Sequence, residues 1–410
     1  MSYNTHTLPN GLRIIHHHSA GDVIYCGYGI KAGTRDELPG EEGLAHFCEH
    51  ASFKGTERRK GTQVIQALES IGGELNAYTN KQSTVYYAAI QKQHLHLAID
   101  LLTDMVFHST FPEHELEKEK EVICDEIESY NDSPAELIFD EFENIIFSGH
   151  PLGHNILGTA EGVRNFTSDD ARRFTQRHYR PDNAIFFING DVDFQKVIKG
   201  LSPNPSPVGR GDTECANTSA TPLPTGEGPG ERHRLLNTHQ AHVIIGRRAY
   251  DINHPRRLAL YLLNNILGGP AMSSRLNMSL RERNGLVYTV ESSMASFDDT
   301  GIWTIYFGCD AHDIKRCQRL VRRELDKLMQ KPISATQLKR AKQQLIGQIA
   351  LACDSKVDFT LDFAKSFLYY GWKKDVSALC ENIQRLTAEE LQQAAQEIFA
   401  PESLYTLIYK

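Results

Sequence analysis

The sequence lacks paired-cysteine spacings, a basic excess and long apolar runs. Its eight cysteines are scattered and none forms a CxxC pair, so they read as reduced thiols and not as a disulfide framework. Lys and Arg total 44 against 52 Asp and Glu, for a formal net charge of −8. That balance argues against the basic face a nucleic-acid binder needs. No apolar stretch approaches the roughly 20 residues that cross a bilayer. Residues 1–18 show no basic segment followed by an apolar core, so no secretory signal is read there. Reduced thiols without a signal point to a cytoplasmic protein with neither membrane nor nucleic acid as partner.

What is present is a chain of 410 residues with 40% hydrophobic and 23% charged content, globular in composition but too long for one hydrophobic core. Residues 201–234 are rich in Pro, Gly, Ser and Thr and nearly devoid of large apolar side chains. That is linker chemistry, and it predicts a first domain over 1–200 and a second over 235–410. In the first, Leu12–Ile15 and Val23–Ile30 read as strands, followed by helices near Glu42–Lys54 and Thr62–Gly72. A hairpin is expected over Leu75–Ala89, helices over His94–Val106 and Glu113–Tyr130, and a closing strand over Asn183–Ile188. The second part repeats the order, from a strand at Ala241–Gly246 and a helix at Arg256–Leu267 to a last strand at Leu404–Tyr409. The expected fold class is α+β: two similar domains, each a mostly antiparallel sheet packed with helices, joined by a flexible linker.

Within the first predicted helix stands His46-Phe47-Cys48-Glu49-His50. At about 100° per residue, His46, Glu49 and His50 fall near 0°, 300° and 40° and project from one side. Two imidazoles one turn apart can share a zinc ion, with the glutamate beside them reaching a metal-bound water as general base; the same spacing also suits a plain solvated helix face. A catalytic zinc needs a third protein ligand. On the helix Glu113–Tyr130 the apolar stripe runs through Leu116, Ile123, Ile127 and Tyr130. Glu119 and Glu126 fall beside it, near 300° and 280° from Leu116 at roughly 100° per residue. Carboxylates on a core-facing edge are costly unless paired or bound to metal. Seven residues apart on one face, the two suit one ligand and one supporting carboxylate.

These residues carry a resemblance to the pitrilysin/insulinase family of zinc peptidases, in particular its short-chain branch of mitochondrial processing peptidases and their bacterial relatives. The metal helix resembles His46-Phe47-Cys48-Glu49-His50 followed by Phe53-Lys54-Gly55-Thr56. The ligand helix resembles Glu119 to Glu126, with Glu126 lying 126 − 50 = 76 residues beyond His50. Further matching segments are Leu8-Pro9-Asn10-Gly11-Leu12, His150-Pro151-Leu152-Gly153 and Leu280-Arg281-Glu282 through Gly285-Leu286-Val287-Tyr288.

The resemblance implies a zinc endopeptidase with one Zn2+ per protomer. His46, His50 and Glu126 would be its ligands, Glu49 the general base and Glu119 the support. It implies that Gly73 to Thr79 is an exposed edge strand that holds an extended peptide substrate, with Asn76 and Ala77 flanking the scissile bond. Arg281 and Tyr288 match the family pair that grips the substrate carbonyl and stabilises the oxyanion. Because one chain carries both the zinc motif and this pair, a homodimer is expected, with half-shells around a closed chamber and an active site shared across protomers. The competing reading is a non-catalytic or partner-requiring subunit of a processing-peptidase-like complex. Cys48 departs from the aliphatic residue usual in the motif and would be either a small core residue or a source of sensitivity to oxidants.

Overall fold

The computed structural model describes residues 2–202, 229–235 and 240–410. The chain separates into two compact units. The first comprises Met1–Ser129, His154–Thr221 and Ala352–Asp375, and the second Tyr130–Gly153, Pro222–Leu351 and Val376–Lys410.

In the first unit β1 (Tyr3–Thr7), β2 (Arg13–His17), β3 (Val23–Ile30), β4 (Glu74–Thr79), β5 (Thr84–Gln91) and β6 (Ala184–Asn189) form one sheet in the order β1-β2-β6-β3-β5-β4. All neighbours run antiparallel except β2 and β6. Its helices are α1 (Leu44–Ala51), α2 (Gly61–Glu69), α3 (Leu95–Phe107), α4 (Glu113–Asn131, reaching the unit boundary), α6 (Ala160–Asn165), α7 (Ser168–His178) and α8 (Phe194–Leu201). Chain order places α5 (Pro134–Ile146) between α4 and α6, but α5 belongs to the second unit.

The second unit carries β7 (Glu231–Arg234), β8 (Ala241–Ala249), β9 (Val287–Ser296), β10 (Gly301–Cys309) and β11 (Tyr405–Tyr409), in the order β7-β11-β8-β10-β9. Here too a single pair, β7 and β11, is parallel. Its later helices are α9 (Arg257–Gly268), α10 (Ile314–Gln330), α11 (Ala335–Ala352), α13 (Val376–Arg385) and α14 (Ala388–Ile398), while α12 (Lys356–Tyr370) returns to the first unit.

This partition differs from the contiguous 1–200 and 235–410 read from composition, because each half of the chain lends one helix to the other half's sheet. Helix α12 covers β3 and β6: Arg13 donates to the carbonyls of Phe367 and Leu368 at 3.2 and 3.0 Å, and Asn189 donates to Thr360 Oγ1 at 2.8 Å. On β3, Tyr28 meets Thr103 of α3 at 2.9 Å, whereas a Cβ on Gly29 would meet Leu368 of α12. Consecutive strand residues point to opposite faces, so β3 is covered on both sides, which accounts for its unbroken apolar run. Helix α5 does the same for the second sheet, packing Leu137, Ile138, Phe142 and Ile146 with Ile244, Ile302, Tyr306 and Leu407.

The segment 201–234 is also not all linker. Leu201 closes α8, and Glu231–Arg234 forms β7, pairing with Thr406–Tyr409; residues 203–228 lie outside the described residues. Among the described residues no helix is long and apolar enough to cross a membrane.

Candidate metal centre and active site

Helix α1 begins at Gly43, whose φ of 98° is left-handed and where a Cβ would sit 2.7 Å from the Leu157 carbonyl oxygen and 2.9 Å from Gly158 Cα. Only glycine meets both demands. The fully buried carboxylate of Glu37 accepts the N–H groups of Gly43 (3.0 Å) and Ala45 (2.7 Å), and lies 2.9 Å from His154 Nε2. A carboxylate at a helix N-terminus satisfies orphan donors and opposes the positive end of the dipole. Leu44, Ala45, Phe47, Cys48 and Ala51 are all core residues. Helix α1 is therefore clamped by its apolar sides and its start, and His46, Glu49 and His50 share the remaining face.

That face meets α4. Glu126 Oε2 lies 3.8 Å from His46 Nε2 and 3.6 Å from His50 Nε2, and one ligand atom from each of the three residues falls within 4.8 Å of the others. A tetrahedral ion with bonds of about 2.0–2.2 Å needs donors about 3.4 Å apart, close to the two distances from Glu126 Oε2. Two imidazoles and a carboxylate also match the donor set of a catalytic zinc shell. Burial, with His50 adding to it, lowers the His46 pKa to about 3 and keeps that ring neutral. Its Nδ1 is buried and finds no partner among the described residues, leaving Nε2 as the atom aimed at the other donors.

Glu119 sits on the other side of His50. Its Oε1 lies 2.8 Å from His50 Nδ1, and its Oε2 pairs with Lys54 Nζ. Two carboxylates two turns apart on α4 thus bracket one imidazole, Glu119 at Nδ1 and Glu126 at Nε2. The bond to Glu119 fixes the Nδ1–H tautomer and leaves Nε2 free to ligate. Burial alone would raise the Glu119 pKa, but its bonds to His50 and Lys54 bring it below the ordinary carboxylate value. The expectation that both glutamates lie against the core holds for Glu119, whose side chain is 9% exposed, and not for Glu126, at 45%. Helical angle alone cannot separate them; His50 and Lys54 cover the first, and the second opens to solvent.

Glu49 is buried and accepts a 2.7 Å hydrogen bond from the Thr79 hydroxyl. Burial raises its pKa, with the Glu126 charge adding to the rise and the Thr79 bond opposing it. A raised carboxylate suits a group that must take up and release a proton. Thr79 ends β4, which among the described residues borders only β5 and is an edge of the sheet. Asn76 and Ala77 therefore lie on a free edge, with Ala77 on the same side of the strand as Thr79. Sequence reasoning missed Glu37, Lys54 and Thr79, whose roles depend on contacts between distant segments.

A model of the insulinase family, peptidase family M16, matches residues 13–160, and a model of the M16 inactive domain matches residues 165–345. A protein from Bacillus subtilis (strain 168) named "Uncharacterized zinc protease YmxG" is 33% identical over 405 residues, 98% of this chain and 97% of the relative.

The chain belongs to peptidase family M16.

Other relatives, each named an uncharacterized zinc protease, are 33% identical over 96% of the chain (86% of the relative) in Streptomyces coelicolor and 31% over 99% (97%) in Rickettsia bellii. The fold matches the crystal structure of a protease from Helicobacter pylori with a TM-score of 0.92 at 23% identity, covering 100% of this chain and 99% of that one. It also matches a peptidase M16 inactive domain from Pseudomonas fluorescens at 0.86 and 18%, covering 100% and 98%.

In this M16 chain Arg281 and Tyr288 belong to the second unit, and the two histidines to the first. Arg281 is in a π-helical turn, Asn277–Glu282, and Tyr288 is near the start of β9. The guanidinium lies 5.6 Å from the Tyr288 ring centroid, and Tyr288 is 79% exposed. They form a cation–π pair with the phenol in solvent. Cys48 is fully buried, and burial holds its thiol pKa well above the ordinary value. It is a core residue; a thiol so protected is a poor target for oxidants.

Proposed function

We propose that this protein is a zinc-dependent endopeptidase acting on unfolded or short peptides. The observation that carries the reading is the convergence of His46, His50 and Glu126 donor atoms within 4.8 Å, with the buried Glu49 one helical position before His50. His46 and His50 through Nε2, and Glu126 through Oε2, would hold one zinc per protomer. Zinc, when bound, supplies a Lewis acid that makes water a competent nucleophile near neutral pH.

The chain's own residues supply the remaining steps. An extended peptide adds to the free edge of β4, held by its backbone beside Asn76 and Ala77. Glu49, oriented by Thr79, takes the proton of the attacking water and delivers it to the leaving amine. Glu119 keeps His50 in its ligating tautomer. Tyr288 donates a hydrogen bond to the oxygen on which charge develops, and Arg281 grips a substrate carbonyl. In this reading the pair acts on the metal centre of a second copy, so that a homodimer enclosing a chamber is the catalytic unit. The free cysteines among the described residues fit a reducing, cytoplasmic compartment.

Zinc content and cleavage of a quenched fluorescent peptide library, measured on wild type and Glu49→Gln side by side, test the reading. About one zinc per protomer in both, with cleavage by wild type alone, supports it. Zinc without cleavage by wild type would favour a non-catalytic or partner-requiring subunit. Mixing Glu49→Gln with Arg281→Ala tests the shared site: recovered activity supports action in trans, and none sinks it.

A further inference from the structure

The turn after α1 puts one cation into this centre, and its placement is not accidental to the backbone. Lys54 lies one helical turn beyond His50, its N–H donating to the Ala51 carbonyl at 3.1 Å. The next residue, Gly55, accepts from Thr110 N–H at 3.1 Å, and Thr56 is fixed by Asp104 at 2.6 Å. A side chain leaving so braced a turn has few places to go. Lys54 uses it to reach Oε2 of Glu119, while Oε1 of the same buried carboxylate meets His50 Nδ1 at 2.8 Å. Both oxygens of Glu119 are thereby engaged, one by a cation and one by a metal-ligand candidate.

We propose that Lys54 is a positioning residue for the metal centre, which holds Oε2 of Glu119 so that Oε1 stays on His50 Nδ1 and His50 Nε2 stays aimed at the metal. Without Lys54, Glu119 keeps a single partner among the described residues, His50, and its side chain is free to rotate away from the imidazole. Outer groups that orient a ligating histidine are worth about 10- to 100-fold in metal affinity. A simple count of charges makes the opposite forecast. Lys54 is a cation beside a site for a dication, so by charge alone its removal tightens the metal. The sign of the effect therefore separates positioning from bulk electrostatics.

The inference rests on the reading of His46, His50 and Glu126 as a zinc site, and one experiment keeps the two apart. The full chain is stripped of metal and titrated with zinc against a chromophoric chelator. The forms compared are wild type, Lys54→Met, Lys54→Arg, Glu119→Gln and the double variant Lys54→Met/Glu119→Gln. Lys54→Met is expected to weaken zinc about tenfold or more, and Lys54→Arg to stay within about threefold of wild type. In the Glu119→Gln background, loss of Lys54 is expected to add little, because it acts through that carboxylate. Lys54→Met binding as tightly as wild type or tighter overturns the inference, as does a loss that adds in full to that of Glu119→Gln. A wild type that takes up no zinc overturns the reading of the site and this inference with it. Should Lys54→Met not fold, Lys54→Gln replaces it in the same cycle with the same outcomes.

Discussion

The two sheets share one topology and differ in what their helices carry. Without β1, the first reads β2-β6-β3-β5-β4 and the second β7-β11-β8-β10-β9; counted from the first strand of each, the orders are identical. In both, the outermost pair of this set is parallel and every other neighbour antiparallel. Each sheet's second strand is followed by a helix facing the edge strand, α1 in one and α9 in the other. Helix α1 presents His46, Glu49 and His50. Helix α9, Arg-Leu-Ala-Leu-Tyr-Leu-Leu-Asn-Asn-Ile-Leu-Gly, has no histidine or carboxylate. The link from helix to edge strand survives in altered chemistry: Thr79 bonds the Glu49 carboxylate in the first unit, whereas Asn264 and Ser292 exchange two neutral hydrogen bonds in the second. One scaffold thus serves twice, and chemistry resides in a few residues placed on it.

Metal removal should sharpen this contrast most. Chelation is expected to abolish peptide cleavage, with recovery on adding zinc. By mass action, zinc at 100 times its dissociation constant stabilises the fold by about 2.7 kcal/mol. Hydrogen exchange should show the loosening in α1 and α4 and leave β8, β10 and β11 unchanged; equal loosening of both sheets would break the comparison.

Next in size is Glu49→Gln, expected to lower kcat by about 10²- to 10⁴-fold with zinc retained. Asn264→Ala at the matching place in the second unit should cost about 1 kcal/mol of stability from its lost hydrogen bonds and leave zinc content as it was. Steady-state kinetics, metal analysis and thermal melts read the pair.

The exchanged helices offer a third test. Phe363 of α12 and Phe142 of α5 are fully buried, and truncating either to alanine should cost about 3–5 kcal/mol. Phe363→Ala should raise hydrogen exchange in β2, β3 and β6, although it lies in the other half of the chain, and Phe142→Ala in β8 and β11. The reverse pattern would contradict the exchange.

The smallest expected effects compare Thr79→Val with Ser292→Ala. A hydrogen bond to a charged group is worth about 1.5–3 kcal/mol, so losing the Thr79 hydroxyl should lower kcat about tenfold or more. Ser292→Ala should cost about 0.5–1.5 kcal/mol of stability and no activity.

Where residues act within one helix or one strand, sequence spacing carried the information. The period of 3.6 put His46, Glu49 and His50 on one face and Glu119 and Glu126 on another, because local geometry ties spacing to direction. The strand Val23–Ile30 and the helix near Thr62–Gly72 are legible for the same reason. The alternation of strands and helices made the two similar sheets readable. Spacing could not tell that Glu119 is buried and Glu126 open, since both sit at nearly the same helical angle and only Lys54 and His50 distinguish them. It could not foresee that Glu37 caps α1 or that Thr79 holds Glu49. It missed β7, whose polar Glu-Arg-His-Arg becomes a strand by pairing with β11. Nor could it assign α5 and α12 to the sheets they cover. Each of these depends on contacts between segments far apart in the chain, and only burial in the folded molecule decides which are made.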